Sequence, residues 1–294
     1  MLQDVANKFS TLERYDFKLL RGVETGMRFF NWVPADRLPS YSRLTEDEVD
    51  YRLRRLSKLK LVQRKTVHYV GYKLTFTGFD ALAVSTLVKR GFITALGGRI
   101  GAGKESDIYD AQRDSSDVVA VKFHREGTSF RHVKRARGYI SHAEKSSWML
   151  ASRRASESEY QALTRLYGYV KTPEPIAQNR HVIVMGLVDG DELSRTELIT
   201  PVDTLREILD QIKLVYSQEM VHGDLSEYNV LVCPDGDVTL IDWSQWVPLS
   251  HPDSENLLRR DVNNVLSYFA RKYKITKTTD DVIAYIRRND IASV

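Results

Sequence analysis

Residues 221–242, VHGDLSEYNVLVCPDGDVTLID, restrict the fold more than any other stretch of this chain. Two apolar runs flank the turn formers Pro234, Asp235 and Gly236, the pattern of an antiparallel strand pair. Folding VTLI back beside NVLV brings Asn229 and Asp242 to neighbouring strand ends, with both side-chain oxygens facing one point. Asp224 opens the same polar turn. Two readings compete for it. In one, Asp224 and Asn229 satisfy their own backbone, as such residues often do in turns. In the other, Asp224 orients a nucleophile or accepts its proton, while Asn229 and Asp242 offer oxygens to a hard divalent cation. Such a cation asks for one or two protein oxygens plus phosphate oxygens.

Upstream, GRIGAGKESDIYDA is a glycine-rich segment, and the β-branched stretch VVAVKFH puts Lys122 on a strand. A lysine facing inward from a strand needs a negative partner, which nucleotide phosphates supply. Its second partner should be a helical glutamate. Glu159 in SESEYQAL is favoured over Glu157, because Tyr160, Leu163 and Leu166 set a buried face beside it.

The first ninety or so residues read as three helices, two strands and a helix. Leu12, Phe17, Leu20 and Val23 suit one helical face. Thr45 with Glu46 and Glu48 marks a helix start, and Val49, Leu53, Leu56 and Leu59 continue its apolar face. LVQRKTV and YVGYKLT then pair as a hairpin, and Thr77 to Lys89 is helical up to Gly91. Three helices and a hairpin resemble a winged helix, with residues 45–60 in the position of the recognition helix. Residues 51–73 carry eight Lys/Arg and no Asp or Glu, so within a net charge of +4 the remaining chain sums to −4. That block is either a nucleic-acid contact or a solvated helix face, and the alternative for the winged helix itself is use in protein contacts alone.

The loop from His222 to Asn229, followed by Asp242-Trp243-Ser244, resembles the kinase catalytic loop H-R-D-x-x-x-x-N and its metal-binding Asp. Gly223 replaces the Arg and Ser244 replaces the Gly of D-F-G. An Arg there commonly pairs with a phosphorylated activation loop, so its loss argues against that control. The block is shared with aminoglycoside and choline phosphotransferases. With GKESDIYDA, VAVKFHR, HGDLSEYNVLV and LIDWSQW together, the chain resembles the Rio family of atypical kinases, in its second, winged-helix-bearing branch and of archaeal type.

The resemblance covers nearly the whole chain and implies an α+β fold. A winged-helix (helix-turn-helix) domain would occupy residues 1–92, and a small bilobal protein-kinase-like domain residues 93–294. The N-lobe of the latter would span about 93–188 and the C-lobe about 189–294. Asp224 and Lys122 would be catalytic. Gly101, Gly103, Lys104, Glu105 and Ser106 would lie over the phosphates, and Ile108, Ala120, Lys122, Glu159, Met185, Gly186, Val188, Leu231 and Ile241 would complete the nucleotide site. Asn229 and Asp242 would hold Mg2+ or Mn2+. Gly186 stands where many members carry Glu in the hinge, and Trp243 and Trp246 are further departures. The implied activities are ATP hydrolysis and autophosphorylation, with Asp242 itself able to accept the phosphoryl group as an aspartyl-phosphate. The implied partner of this monomer is the pre-ribosomal small subunit, with the basic block 51–73 on its rRNA.

Other features bound this reading. Cys233 is the single cysteine, so there is no internal disulfide framework and a reducing compartment is expected. The start MLQDVANKFS is polar, and no run approaches the roughly 18 apolar residues of a membrane span, so the expected location is cytoplasmic, with no membrane partner. Only 52 residues follow Asp242, with no A-P-E, which leaves no ordinary peptide platform. Residues 125–156 read as a basic loop whose Ser129, Ser141, Ser146 and Ser147 are candidate phosphoacceptors. The rival functions are a small-molecule phosphotransferase, which usually carries a larger acceptor lobe, and a nucleotide-sensing DNA-binding regulator. The intact set Lys122, Asp224, Asn229 and Asp242 counts against a sensor without chemistry.

Overall fold

Helix α1 (Arg14–Gly26) turns Leu19, Leu20 and Val23 inward, and all three are fully buried. The computed structural model describes residues 11–103, 106–114, 117–125 and 148–288. They fall into two units, one running through Arg153 with the short segment 179–182, the other comprising 154–178 and 183 onward.

In the first unit α1 is followed by strand β1 (Val33–Pro34) and helices α2 (Leu38–Ser42) and α3 (Glu46–Lys58). The Thr45 hydroxyl caps α3 by accepting from the Glu48 amide at 3.4 Å. Strands β2 (Val62–Val67) and β3 (Tyr69–Leu74) pair antiparallel, with Val62 opposite Leu74, and helix α4 (Phe76–Lys89) follows. The two-residue β1 pairs with the other edge of β3, an addition to the expected hairpin. Two residues carry no readable alternation, so the sequence gives no sign of it. Leu38, Leu53, Leu56, Leu61 and Leu74 close the core between these elements.

Next comes an antiparallel meander of β4 (Ala95–Ala102), β5 (Ser106–Gln112) and β6 (Val118–His124). A buried charge cluster joins it to α4. Arg125 grips Asp80 with two hydrogen bonds of 2.6 and 3.0 Å and reaches Asp107 at 3.1 Å, while His181 Nε2 lies 2.7 Å from Asp80. Burial alone would push the Asp80 carboxyl up, but Arg125 and His181 more than offset it and hold Asp80 below the usual carboxylate range. Arg180, in the same short segment, makes a bidentate pair with Glu24 of α1, both bonds 2.7 Å.

Helix α5 (Trp148–Leu166) already includes Trp148, eight residues before Ser156, where the loop reading of 125–156 would have it begin. Trp148 packs on Phe76 with ring centroids 3.7 Å apart and meets Phe79 edge-on at 5.8 Å, an anchor that basic local sequence does not advertise. Residues 126–147, with Ser129, Ser141, Ser146 and Ser147, lie outside the described residues.

The second unit holds the rest of α5, then β7 (Pro175–Asn179) beside β8 (Val182–Gly186), β9 (Asp191–Glu192) and α6 (Pro201–Ser217). β10 (Met220–Val221) pairs with β13 (Val247–Pro248), and β11 (Val230–Val232) forms a hairpin with β12 (Val238–Leu240) while β9 lines its other edge. The hairpin turn closes with the Gly236 amide on the Cys233 carbonyl at 2.9 Å, at a left-handed φ of 92° that suits glycine. Helices α7 (Ser254–Tyr273) and α8 (Thr279–Arg287) complete the unit. Among the described residues no helix is long and apolar enough to cross a membrane.

Candidate active site

In the first unit, register gathers the predicted phosphate-side residues onto one face. Lys122 lies opposite Ile108, and Ile108 opposite Gly101. Ala120 and Ser106, two residues along their strands, share that face because strand side chains alternate. Lys122 is buried, which for an ammonium demands a compensating negative group. The Gly103 amide donates to the Ser106 carbonyl at 2.8 Å, tightening the β4–β5 turn, while Lys104 and Glu105 lie outside the described residues.

In the second unit, the Ile241 amide donates to the Asn229 carbonyl at 3.0 Å, continuing the ladder one step past Val230 and Leu240. Asn229 and Asp242 thus leave adjacent strands at the same end. The Asn229 Nδ2 donates to the Asp224 carbonyl at 2.8 Å, so the amide oxygen is the end left for another partner. Asp242 sits at φ 62°, ψ 69°, a left-handed conformation uncommon away from glycine and asparagine and frequent at functional turns. The Asp224 side chain is 62% exposed, with Arg260 at 3.9 Å. A carboxylate, an amide oxygen and a solvent-facing carboxylate therefore share one loop and hairpin. Among the described residues no group of three or more His, Cys, Asp or Glu is placed to hold a metal ion. The donors Asn229 and Asp242 fit Mg2+, which keeps phosphate and water ligands, better than a metal held wholly by protein.

The departures from the kinase pattern have local causes. Gly223 adopts φ 77°, and a Cβ there would approach the Gln245 carbonyl oxygen to 2.5 Å, so no Arg fits. Trp243 is fully buried, donates its indole N–H to the Leu240 carbonyl at 3.1 Å and packs on His222 with centroids 4.5 Å apart. The Trp246 indole donates to the Ser158 carbonyl at 2.9 Å, pinning the segment after Asp242 to α5 beside Glu159. Glu159 is buried and Glu157 only half-buried. His222 accepts from the Asp224 amide at Nδ1 (3.3 Å) and contacts the Ile241 carbonyl through Nε2 (3.0 Å), which fixes the proton on Nε2. Met185 is buried on β8 and Val188 half-buried just beyond it, while Leu231 and Ile241 are half-buried around β11 and β12. The Gly186 amide donates to the Glu174 carbonyl at 2.9 Å.

A RIO domain matches residues 107–282, and the N-terminal domain of Rio2 matches residues 9–90. Over 263 residues the chain is 41% identical to the RIO-type serine/threonine-protein kinase Rio2 of Methanocaldococcus jannaschii, covering 87% of this chain and 96% of that one. The chain belongs to the Rio2 family of RIO kinases. It is 35% identical to the rio2 serine/threonine-protein kinase of Dictyostelium discoideum over 89% of this chain, and spans 51% of that longer relative. The crystal structure of the Rio2 kinase–ADP/Mg2+–phosphoaspartate complex from Chaetomium thermophilum is similar at a TM-score of 0.83 and 29% identity. It covers 97% of this chain and 90% of that one. The fold is accordingly a Rio2 winged helix followed by a RIO kinase domain.

Sequence reasoning missed how this Rio2 chain holds the loop that carries Asp224. Asp261 on α7 accepts from the amides of Gly223 (2.7 Å) and Leu225 (3.0 Å), and Asn264 donates to the Leu225 carbonyl at 3.0 Å. The available sign was a carboxylate inside the apolar stripe Leu257, Leu258, Val262 and Val265. Burial pushes the Asp261 carboxyl up to about 7, against the pull of the two amides and Arg260. A carboxyl raised above its unfolded value stabilises the fold fully below that value and loses this contribution as pH climbs through about 7. Serving both amides equally, however, favours the ionised form, because the hydroxyl oxygen of the protonated form is the weaker acceptor. Phosphoryl-transfer rate should therefore rise with pH through about 7 while resistance to unfolding falls over the same range. Asp261→Asn should remove both dependences and slow the rate by on the order of tenfold, as one positioning hydrogen bond is lost. Parallel pH profiles of kcat and Tm check the two slopes; a shared direction would contradict the assignment.

Proposed function

We propose that this chain is a serine/threonine kinase and ATPase that uses Mg-ATP. The observation that carries this reading is the Ile241-to-Asn229 hydrogen bond, which sets Asn229 and Asp242 at one hairpin end, with Asn229 bonded to the carbonyl of the exposed Asp224. Asn229 and Asp242 would hold Mg2+, which when bound neutralises charge on the transferring phosphoryl group. Asp224 orients an acceptor hydroxyl and takes its proton, and Lys122 meets nucleotide phosphate. In the first unit Gly101, Gly103, Ser106, Ile108 and Ala120 would face phosphate, and in the second Met185, Gly186, Val188, Leu231 and Ile241 would face the base. Glu159 lies on α5 next to Ser158, whose carbonyl accepts from the Trp246 indole. The phosphoaspartate of the Chaetomium Rio2 complex supports Asp242 as a second phosphoryl acceptor here.

Membership of the Rio2 family is consistent with a role in maturing the small ribosomal subunit; the chain would work in the cytoplasm, with the winged helix engaging an rRNA-bearing surface. Sedimentation with purified small ribosomal subunits, with and without ATP, tests this role. Co-migration that changes with nucleotide is expected; a protein that stays at the top of the gradient in both conditions would contradict it.

A further inference from the structure

The basic block 51–73 does not present all of its charge outward. Arg52 is buried against Glu13 (2.7 Å), Asp16 (3.2 Å) and Glu48 (2.6 Å), and Arg55 pairs with Asp16 at 3.3 Å. The outward face of α3 then reads Glu46, Asp47, Asp50, Tyr51, Arg54 and Lys58, so its first half is acidic. A helix laid into a duplex groove brings its N-terminal residues to the bases between two phosphate rows. Carboxylates there would repel those phosphates.

The wing is built differently. Gln63 lies opposite Lys73 and Lys65 opposite Gly71, and opposed residues share a sheet face. Trp32, one residue before the pair Val33–Tyr72, joins the same row. The Lys73 ammonium lies 4.5 Å from the centre of the Trp32 ring and that of Lys65 5.6 Å from it. Tyr69 is 47% exposed, and its hydroxyl donates to the Trp32 carbonyl at 2.9 Å. Gly71 leaves room for both rings: a Cβ there would come within 2.9 Å of Trp32 and 3.0 Å of Tyr69. Neither strand of the wing carries an Asp or Glu.

We propose that this face, Trp32, Lys65, Tyr69 and Lys73, is a platform for single-stranded RNA, and that α3 does not read a duplex. Aromatic faces stack splayed bases, and the two ammonium groups now held over Trp32 move onto flanking phosphates. The proposal rests on the reading that the partner bears rRNA, and it names the element and the kind of RNA engaged.

Fluorescence polarisation of the full chain with a labelled unstructured oligouridylate, and with an RNA hairpin of equal phosphate number, tests it across a salt series. Lys65→Gln with Lys73→Gln should weaken oligouridylate binding and lower the log K against log salt slope by about 1.4, at about 0.7 per lost contact. Trp32→Leu should weaken binding about five- to a hundredfold with the slope unchanged. Arg54→Gln with Lys58→Gln should leave both quantities as in the wild type. If Trp32→Leu lowers Tm, the slope change of the doubly neutralised wing decides alone. A preference for the hairpin, loss confined to the Arg54/Lys58 variant, or indifference to the wing variants would overturn the platform while the rRNA reading stands. Wild-type protein that binds neither RNA would instead remove the rRNA reading itself.

Discussion

Asp242→Ala is expected to abolish Mg2+-dependent phosphate release and to weaken Mg-ATP binding, because the proposed direct oxygen ligand of the cation is lost. Asp224→Ala should cut turnover by about a hundredfold or more and leave Mg-ATP affinity near the wild-type value. The contrast follows from their placement. Asp242 stands at the strand end beside Asn229, whereas the Asp224 side chain faces solvent, where an acceptor hydroxyl would arrive. Titration of both variants with Mg-ATP, followed by single-turnover rates, separates the roles. Equal losses of nucleotide affinity in the two would show that they are wrongly divided.

The second large effect concerns stability. Arg125→Met should destabilise the first unit by about 3–5 kcal/mol, because it leaves the Asp80 carboxylate buried without its main cation. Asp80→Asn with Arg125→Met should recover a large part of that loss, since removing both charges also removes the uncompensated one. Urea unfolding of the single and double variants gives the cycle. A loss below about 1 kcal/mol for Arg125→Met would mean that the cluster does not hold α4 to the meander.

The hairpin carrying Asn229 and Asp242 was legible because local chemistry dictates it: turn formers at 234–236, β-branched runs on either side, and polar residues at the strand ends. The winged helix was legible for the same reason, through the Thr45 cap and the apolar face of α3. What stayed hidden depends on distant partners. The first described turn of α5 is anchored by Trp148 meeting Phe76 and Phe79, residues about seventy positions earlier. Asp16, Asp80 and Asp261 each lie on the apolar face of a helix, and their partners, Arg52, Arg125 and two loop amides, come from other elements. A carboxylate within an apolar stripe was the visible sign, although the stripe does not name the donor. The basic block misled by counting. Eight cations in sequence include Arg52 and Arg55, which face inward to carboxylates of α1 and its cap. The Glu48–Arg52 part of that pairing, at i and i+4, was within reach of local reasoning.

The central claim is that the loop carrying Asp224 and the hairpin end carrying Asn229 and Asp242 perform phosphoryl transfer. Incubating the purified chain with ATP labelled at the γ-phosphoryl group, with Mg2+ and with a chelator, tests it most directly. The account predicts label on protein serine or threonine together with released phosphate, both dependent on Mg2+ and both lost in Asp242→Ala. Tight Mg-ATP binding with neither labelled protein nor released phosphate would contradict it and leave a nucleotide sensor in its place.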